Sequence, residues 1–264
     1  MKLAVTGKGG VGKTTVSALL ARALKQRGHN VVAIDCDPDS NLAACMGYPH
    51  PETIKPLVQL KDLIEEKMGV QPGTTGGMFR LNPFVDDIPA RYAIDIEGIR
   101  VLVAGAVKKG GAGCYCPENA MVRALISYLL VDKDTALVLD MEAGVEHLGR
   151  GTVRSVDSLL IVVEPGRRSV ETAFRVRALA ADIGIRRISV VGNKIRSDAD
   201  KKSLQELLAG MEFAGFLPYD SRVVDAELRG GSAFNASPAV EKAMLEIVAF
   251  LEAKSNLQGQ ERAR

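Results

Sequence analysis

The sequence predicts an α/β fold: one mostly parallel β-sheet with helices on both faces. Three observations predict it. Short apolar runs of strand length alternate with helix-length stretches along most of the 264 residues. Several of these runs are apolar throughout, as strands buried on both faces are. The runs also end on Asp, Asn or glycine-rich turns, which gathers reactive side chains at the carboxyl ends of the strands. Residues 1–254 read as a single domain with an irregular insertion at about 49–100, followed by a polar tail, 255–264.

The first strand, Leu3–Thr6, runs into Gly7-Lys8-Gly9-Gly10-Val11-Gly12-Lys13-Thr14-Thr15, and a helix is expected over Thr14–Gln26. Strand, glycine loop and helix in that order form the context of a phosphate-binding loop, which makes the fold a P-loop NTPase and a nucleoside triphosphate the expected ligand. Gly7, Gly9, Gly10 and Gly12 let the loop's backbone N–H groups, Val11 included, converge on phosphate oxygens, and the helix N-terminus adds its dipole. Lys13 is placed to reach the β- and γ-phosphates and the Thr14 hydroxyl to hold Mg²⁺, with Thr15 in the same binding set. Lys8 is a second lysine near the start of the loop. Gly7-x-Gly9-x-x-Gly12 also fits a dinucleotide fingerprint, with Asp35 as the ribose acid. That reading leaves Lys8, Lys13 and Thr14 without a task, whereas a triphosphate uses each.

The second strand, Val31–Asp35, ends in Asp35-Cys36-Asp37-Pro38-Asp39-Ser40-Asn41. Asp37 is the candidate to orient or deprotonate an attacking water, and Asp35 belongs near Mg²⁺ or the loop backbone. The alternative is an ordinary Asp-Pro turn. After the insertion come strands Val101–Ala104 and Ala136–Asp140, with a helix over Asn119–Leu130 between them. Asp140 stands where an aspartate holds Mg²⁺ through water, and Met141-Glu142-Ala143-Gly144 reads as a switch loop. A helix-capping aspartate is the other reading of Asp140. Strand Leu159–Val163 and helix Ser169–Ile183 follow, then strand Ile188–Asn193.

Asn193 offers the donor and acceptor that suit the edge of adenine, though a turn asparagine has the same signature. A helix over Lys201–Ala209 and strand Phe213–Phe216 lead to Pro218, a candidate lining residue of the same pocket. The last helix is expected over Ala239–Ala253. The tail, Ser255–Arg264, reads as frayed and lacks the apolar face of a membrane-binding helix.

Four cysteines occur: Cys36, Cys45, Cys114 and Cys116. In Gly110-Gly111-Ala112-Gly113-Cys114-Tyr115-Cys116-Pro117, two thiols one residue apart point the same way if the segment is extended. Two thiolates cannot complete a tetrahedral site, but the pairs of a symmetric homodimer supply four. Such a set suits Zn²⁺, or Ni²⁺ in tetragonal geometry. Free cysteines and a redox pair remain open readings. Cys36 and Cys45 read as small side chains beside the loop, and His147 as a surface or capping residue.

Composition narrows the partners. With 34 basic and 32 acidic residues the formal charge is +2, so bulk charge predicts no nucleic-acid or membrane-surface partner. No apolar run approaches the roughly 20 residues that span a bilayer, and a cytoplasmic location is expected.

With these residues in place, the chain resembles the deviant Walker A ATPases, the class of MinD, ParA, the tail-anchored-protein targeting ATPase and the nitrogenase iron protein. The resemblance rests on Lys8 to Thr14, Asp37-Pro38, Asp140 and Asn193. In that class the first lysine reaches across a dimer interface to the partner's ATP, which the resemblance implies for Lys8. Within the class the chain is similar to the CooC-type nickel-insertion ATPases of carbon monoxide dehydrogenase maturation, over about the first 240 residues. The carriers are Asp37 to Asn41, Leu81-Asn82-Pro83, Gly113-Cys114-Tyr115-Cys116, Asp140 to His147 and Val163-Glu164-Pro165. The resemblance implies a homodimer that binds Ni²⁺ (Zn²⁺ in vitro) at Cys114 and Cys116 and delivers it to apo carbon monoxide dehydrogenase. The maturation ATPase of acetyl-CoA synthase shares most of this pattern. An iron–sulfur cluster like the iron protein's is disfavoured, because Asp140–Gly144 has no cysteine.

Overall fold

The computed structural model describes residues 1–72, 78–105, 116–142 and 156–262. Among them the strands are β1 (Lys2–Gly7), β2 (Val31–Asp35), β3 (Ile94–Ile96), β4 (Ile99–Val103), β5 (Ala136–Asp140), β6 (Ser158–Val163), β7 (Ile188–Ile195) and β8 (Glu212–Pro218). The helices are α1 (Lys13–Gln26), α2 (Leu42–Cys45), α3 (Lys61–Met68), α4 (Ile88–Tyr92), α5 (Pro117–Val131), α6 (Arg167–Ile183), α7 (Asp198–Leu207), α8 (Ser221–Leu228) and α9 (Pro238–Arg262).

The eight strands form one sheet in the order β3-β4-β2-β5-β1-β6-β7-β8, parallel except for the β3–β4 pair. β1, β2, β5 and β6 are buried along their whole length, which is why they read as unbroken apolar runs. Successive side chains of a strand serve opposite faces. Leu3 and Val5 pack against α1 and α9 on one face, while Ala4 joins the core under α3, α5 and α6 on the other.

The stretch read as an insertion holds α3, α4, β3 and two 3-10 turns, Pro51–Thr53 and Leu57–Gln59. Strand β3 was not expected from the sequence. It folds back on β4 through Glu97 and Gly98, whose φ values of 50° and 78° make the tight turn that joins antiparallel strands. The tail, expected to fray, continues α9 as helix to Arg262. No helix of the described residues is long and apolar enough to cross a membrane.

Because β1, β2, β5, β6 and β7 run parallel, their carboxyl ends share one edge. Gly7, Asp35, Asp140, Val163 and Asn193 all lie there, and the sheet order puts β1 at the centre with β5 and β6 beside it.

Candidate nucleotide site

The loop from Gly7 to Gly12 joins β1 to α1. A Cβ on Gly7 would lie 2.4 Å from the Val162 carbonyl oxygen of β6, and one on Gly12 would lie 2.5 Å from Asn193 Nδ2. Gly12 also has φ 88°, a conformation glycine adopts without strain. Helix α1 starts at this residue with no side-chain cap and no acidic residue in its first turn. Its first N–H groups are therefore presented to an acceptor outside the helix, and a phosphate suits their dipole. Lys13 is 9% exposed, so its ammonium is held in the site rather than in water.

Asp35 and Asp140 are register partners at the ends of β2 and β5 and are both buried. Asp35 accepts the Asp37 N–H at 3.0 Å on one oxygen and the Leu42 N–H at 2.9 Å on the other, which braces the turn carrying Asp37. Burial nevertheless raises its pKa. Asp140 accepts the Thr14 hydroxyl and, on Oδ1 at 2.9 Å, the Ser17 hydroxyl. Its Oδ2 is buried without a hydrogen-bond partner. Burial and the neighbouring Asp35 raise the Asp140 pKa, and nearby Lys13 opposes this.

Two buried carboxylates, one orphaned oxygen and the Thr14 hydroxyl are the hard oxygen donors that Mg²⁺ takes, with water completing its shell. The residues present fit that ion. Asp37 is half-buried, its Oδ1 accepting the Asp39 N–H at 2.9 Å. Lys8 is half-buried at the loop's first turn, where its carbonyl accepts the Val11 N–H at 3.4 Å.

Asn193 lies against the loop, its Nδ2 donating to the Val11 carbonyl at 2.8 Å. Pro218 lines a cavity of about 550 Å³ with Ile195, Phe216, Ala239 and Ala243, and Asn193 is not among the residues lining it. The structure thus brings Lys13, Thr14, Asp35, Asp140 and Asn193 together around the loop, and Pro218 ends β8 as the register partner of Ile195, two residues beyond Asn193 on β7.

Four contributors escaped the sequence reading. Ser17 sits one turn after Lys13 on α1, a spacing that could have flagged it. Lys194 donates to the Gly10 carbonyl at 2.6 Å and pairs with Glu164 at 3.1 Å. Glu227 of α8 accepts the Thr15 hydroxyl at 2.6 Å and lies 3.9 Å from Cys45 Sγ. Glu164 enters the sequence reading only as part of Val163-Glu164-Pro165, with no role attached, and nothing in the sequence separates Lys194 or Glu227 from other surface charges, because only the sheet order brings them to the loop.

Cys114, Ala143, Gly144 and His147 lie outside the described residues. Cys116 caps the start of α5, half-buried, with its thiol pKa raised chiefly by burial. Cys36 is buried, and burial together with the acidic neighbours raises its pKa far more; Cys45 is pushed up to about 12 by burial and Glu227. These two are inert thiols at neutral pH. Among the described residues, no group of three or more His, Cys, Asp or Glu side chains could hold a metal ion.

Comparison with known proteins places this geometry. Residues 2–233 match the CobQ/CobB/MinD/ParA nucleotide binding domain. The chain is 44% identical over 262 residues to the carbon monoxide dehydrogenase accessory protein CooC of Rhodospirillum rubrum, covering 98% of this chain and 99% of that one. It is 43% identical over 233 residues to an uncharacterized ATP-binding protein of Methanocaldococcus jannaschii, covering 87% and 90% of the two chains. Among solved structures, the MinD cell division protein of Aquifex aeolicus superposes with a TM-score of 0.67 at 23% identity, covering 95% of this chain and 96% of that one. That likeness speaks to the fold.

Proposed function

Given that the chain belongs to the CobQ/CobB/MinD/ParA nucleotide-binding family, we propose that it is an Mg²⁺-dependent ATPase that delivers Ni²⁺ to apo carbon monoxide dehydrogenase. The observation that carries this reading is identity of 44% to a carbon monoxide dehydrogenase accessory protein over nearly the full length of both chains. The Cys114-Tyr115-Cys116 segment supplies the soft donors such a cargo needs.

In this reading the N–H groups of Gly9 to Thr14 and the Lys13 ammonium bind the β- and γ-phosphates. Thr14 directly, and the unpartnered oxygen of Asp140 through water, would hold Mg²⁺, which would neutralise charge on the transferring phosphoryl group. Asp37, braced by Asp35, orients the attacking water. Lys8 projects from the loop towards a second subunit and contributes positive charge to that subunit's ATP. Nucleotide state thereby sets the distance between the subunits, and with it whether two Cys114–Cys116 pairs can share one Ni²⁺. Cys116 gives up its proton when the metal binds, so cargo affinity rises with pH.

The test is reconstitution. Purified apo carbon monoxide dehydrogenase, incubated with limiting Ni²⁺ and this protein, should gain activity with MgATP and much less with MgADP. Equal activation in both nucleotides, or with the protein omitted, would refute the proposal.

A further inference from the structure

Asn193 and Lys194 are consecutive residues of β7, and in a regular strand their side chains would point to opposite faces. Here both reach the same loop. Asn193 Nδ2 donates to the Val11 carbonyl at 2.8 Å and Lys194 Nζ to the Gly10 carbonyl at 2.6 Å. Two departures from strand geometry allow this. The β7–β8 register shifts between Gly192 and Ile195, and Lys194 has φ 58°, left-handed backbone that a non-glycine residue adopts at a cost. Irregularities of this kind re-aim side chains beside functional sites. The Glu164 carboxylate, just beyond β6, holds the Lys194 ammonium from its other side at 3.1 Å.

The consequence follows from the planar trans peptide, in which a carbonyl and the next residue's N–H point in opposite directions. Holding the Gly10 and Val11 carbonyls towards β7 turns the N–H groups of Gly12 and of Val11, which makes only a long 3.4 Å bond to the Lys8 carbonyl, away from it. A phosphate cradle needs its amides aimed inward and its carbonyls held out, since an inward carbonyl repels phosphate. We infer that Lys194, steadied by Glu164, is a positioning residue for the phosphate cradle, fixing the orientation of the Gly10–Val11 peptide. This rests on the loop binding a nucleotide.

Four variants test it by MgATP affinity, ATPase kinetics and thermal unfolding of the nucleotide-free protein. Lys194→Met should weaken MgATP binding and raise KM about tenfold, the scale of one charge-assisted hydrogen bond, with kcat changed less than about twofold. Lys194→Arg should restore part of that affinity. Lys194→Gly should lose as much affinity as Lys194→Met while its melting temperature matches or exceeds wild type, because glycine relieves the left-handed φ. Glu164→Gln should weaken binding about threefold, since the ammonium loses its anchor. Tighter binding in Glu164→Gln would mean that a freed Lys194 contacts phosphate directly, which overturns the positioning role. Wild-type affinity in both Lys194→Met and Lys194→Gly overturns it as well. Failure of the wild-type chain to bind MgATP would overturn the nucleotide reading and this inference together.

Discussion

Asp35 and Asp140 stand side by side as register partners at the ends of adjacent parallel strands, both buried, and Asp35 raises the cost of charging Asp140. They divide the work differently. Asp35 uses both oxygens on backbone N–H groups of the turn that follows it, whereas Asp140 keeps one oxygen without a partner. Such a pair is a structural liability in isolation and an asset beside a divalent cation.

Asp140→Asn should therefore separate stability from catalysis. Asparagine keeps an oxygen for the Ser17 hydroxyl and removes a buried charge, so metal-free stability should stay within about 1 kcal/mol of wild type or rise. Mg²⁺ affinity in the presence of ATP should fall about 10- to 100-fold. Urea denaturation and Mg²⁺-dependent ATPase rates read the two effects. Ser17→Ala, which leaves the carboxylate short of a buried donor, should instead destabilise by about 1–3 kcal/mol.

Gly12→Ala combines two penalties. The backbone at φ 88° costs about 1–3 kcal/mol for a residue with a Cβ. That Cβ would also sit 2.5 Å from Asn193 Nδ2. Pairing it with Asn193→Ala removes the contact and leaves the backbone cost. The double variant should melt above Gly12→Ala and still below wild type.

The fold was legible where physics is local. Buried parallel strands such as Ala136–Asp140 announce themselves as apolar runs, and the aspartate at the run's end marks the site edge. Strand β3 was not legible because Ile94-Asp95-Ile96 is three residues long and only its pairing with β4 makes it a strand. Helix α8 escaped because it is only eight residues long and none of them is fully buried, so its apolar stripe is too short to stand out. Its Glu227 matters only because the chain brings it to Thr15, 212 residues away in sequence. Lys194 was hidden for the same reason, and its left-handed φ leaves no trace in residue type.

Glu252 of α9 ties down the end of α1, accepting from Arg27 Nε at 2.8 Å and lying 2.8 Å from His29 Nε2. The Arg27 hydrogen bond lowers its pKa. A lowered carboxylate contributes stability that is fully present above its unfolded value, 4.5, and is lost as pH falls through the lower folded value. Melting temperatures of Glu252→Gln should fall slightly at neutral pH, and the difference from wild type should shrink on acidification below about pH 4.5.

Lys8→Ala should distinguish the loop's two lysines. Loss of Lys13 should abolish MgATP binding by the single chain. Loss of Lys8 should leave that binding within about threefold of wild type yet remove nucleotide-dependent dimerisation. Light scattering with a slowly hydrolysed ATP analogue reads the mass. A Lys8→Ala protein that dimerises as wild type does would remove the role proposed for this residue.

In the proposed function, nucleotide-driven pairing of two chains assembles the cargo site. Nickel stoichiometry, measured by metal analysis on protein of known mass with and without MgATP, tests it most directly. The expected result is about one Ni²⁺ per two chains, lost in Cys114→Ala/Cys116→Ala while MgATP affinity is retained. Undiminished nickel binding by the double variant, or full stoichiometry on a monomer, would contradict it.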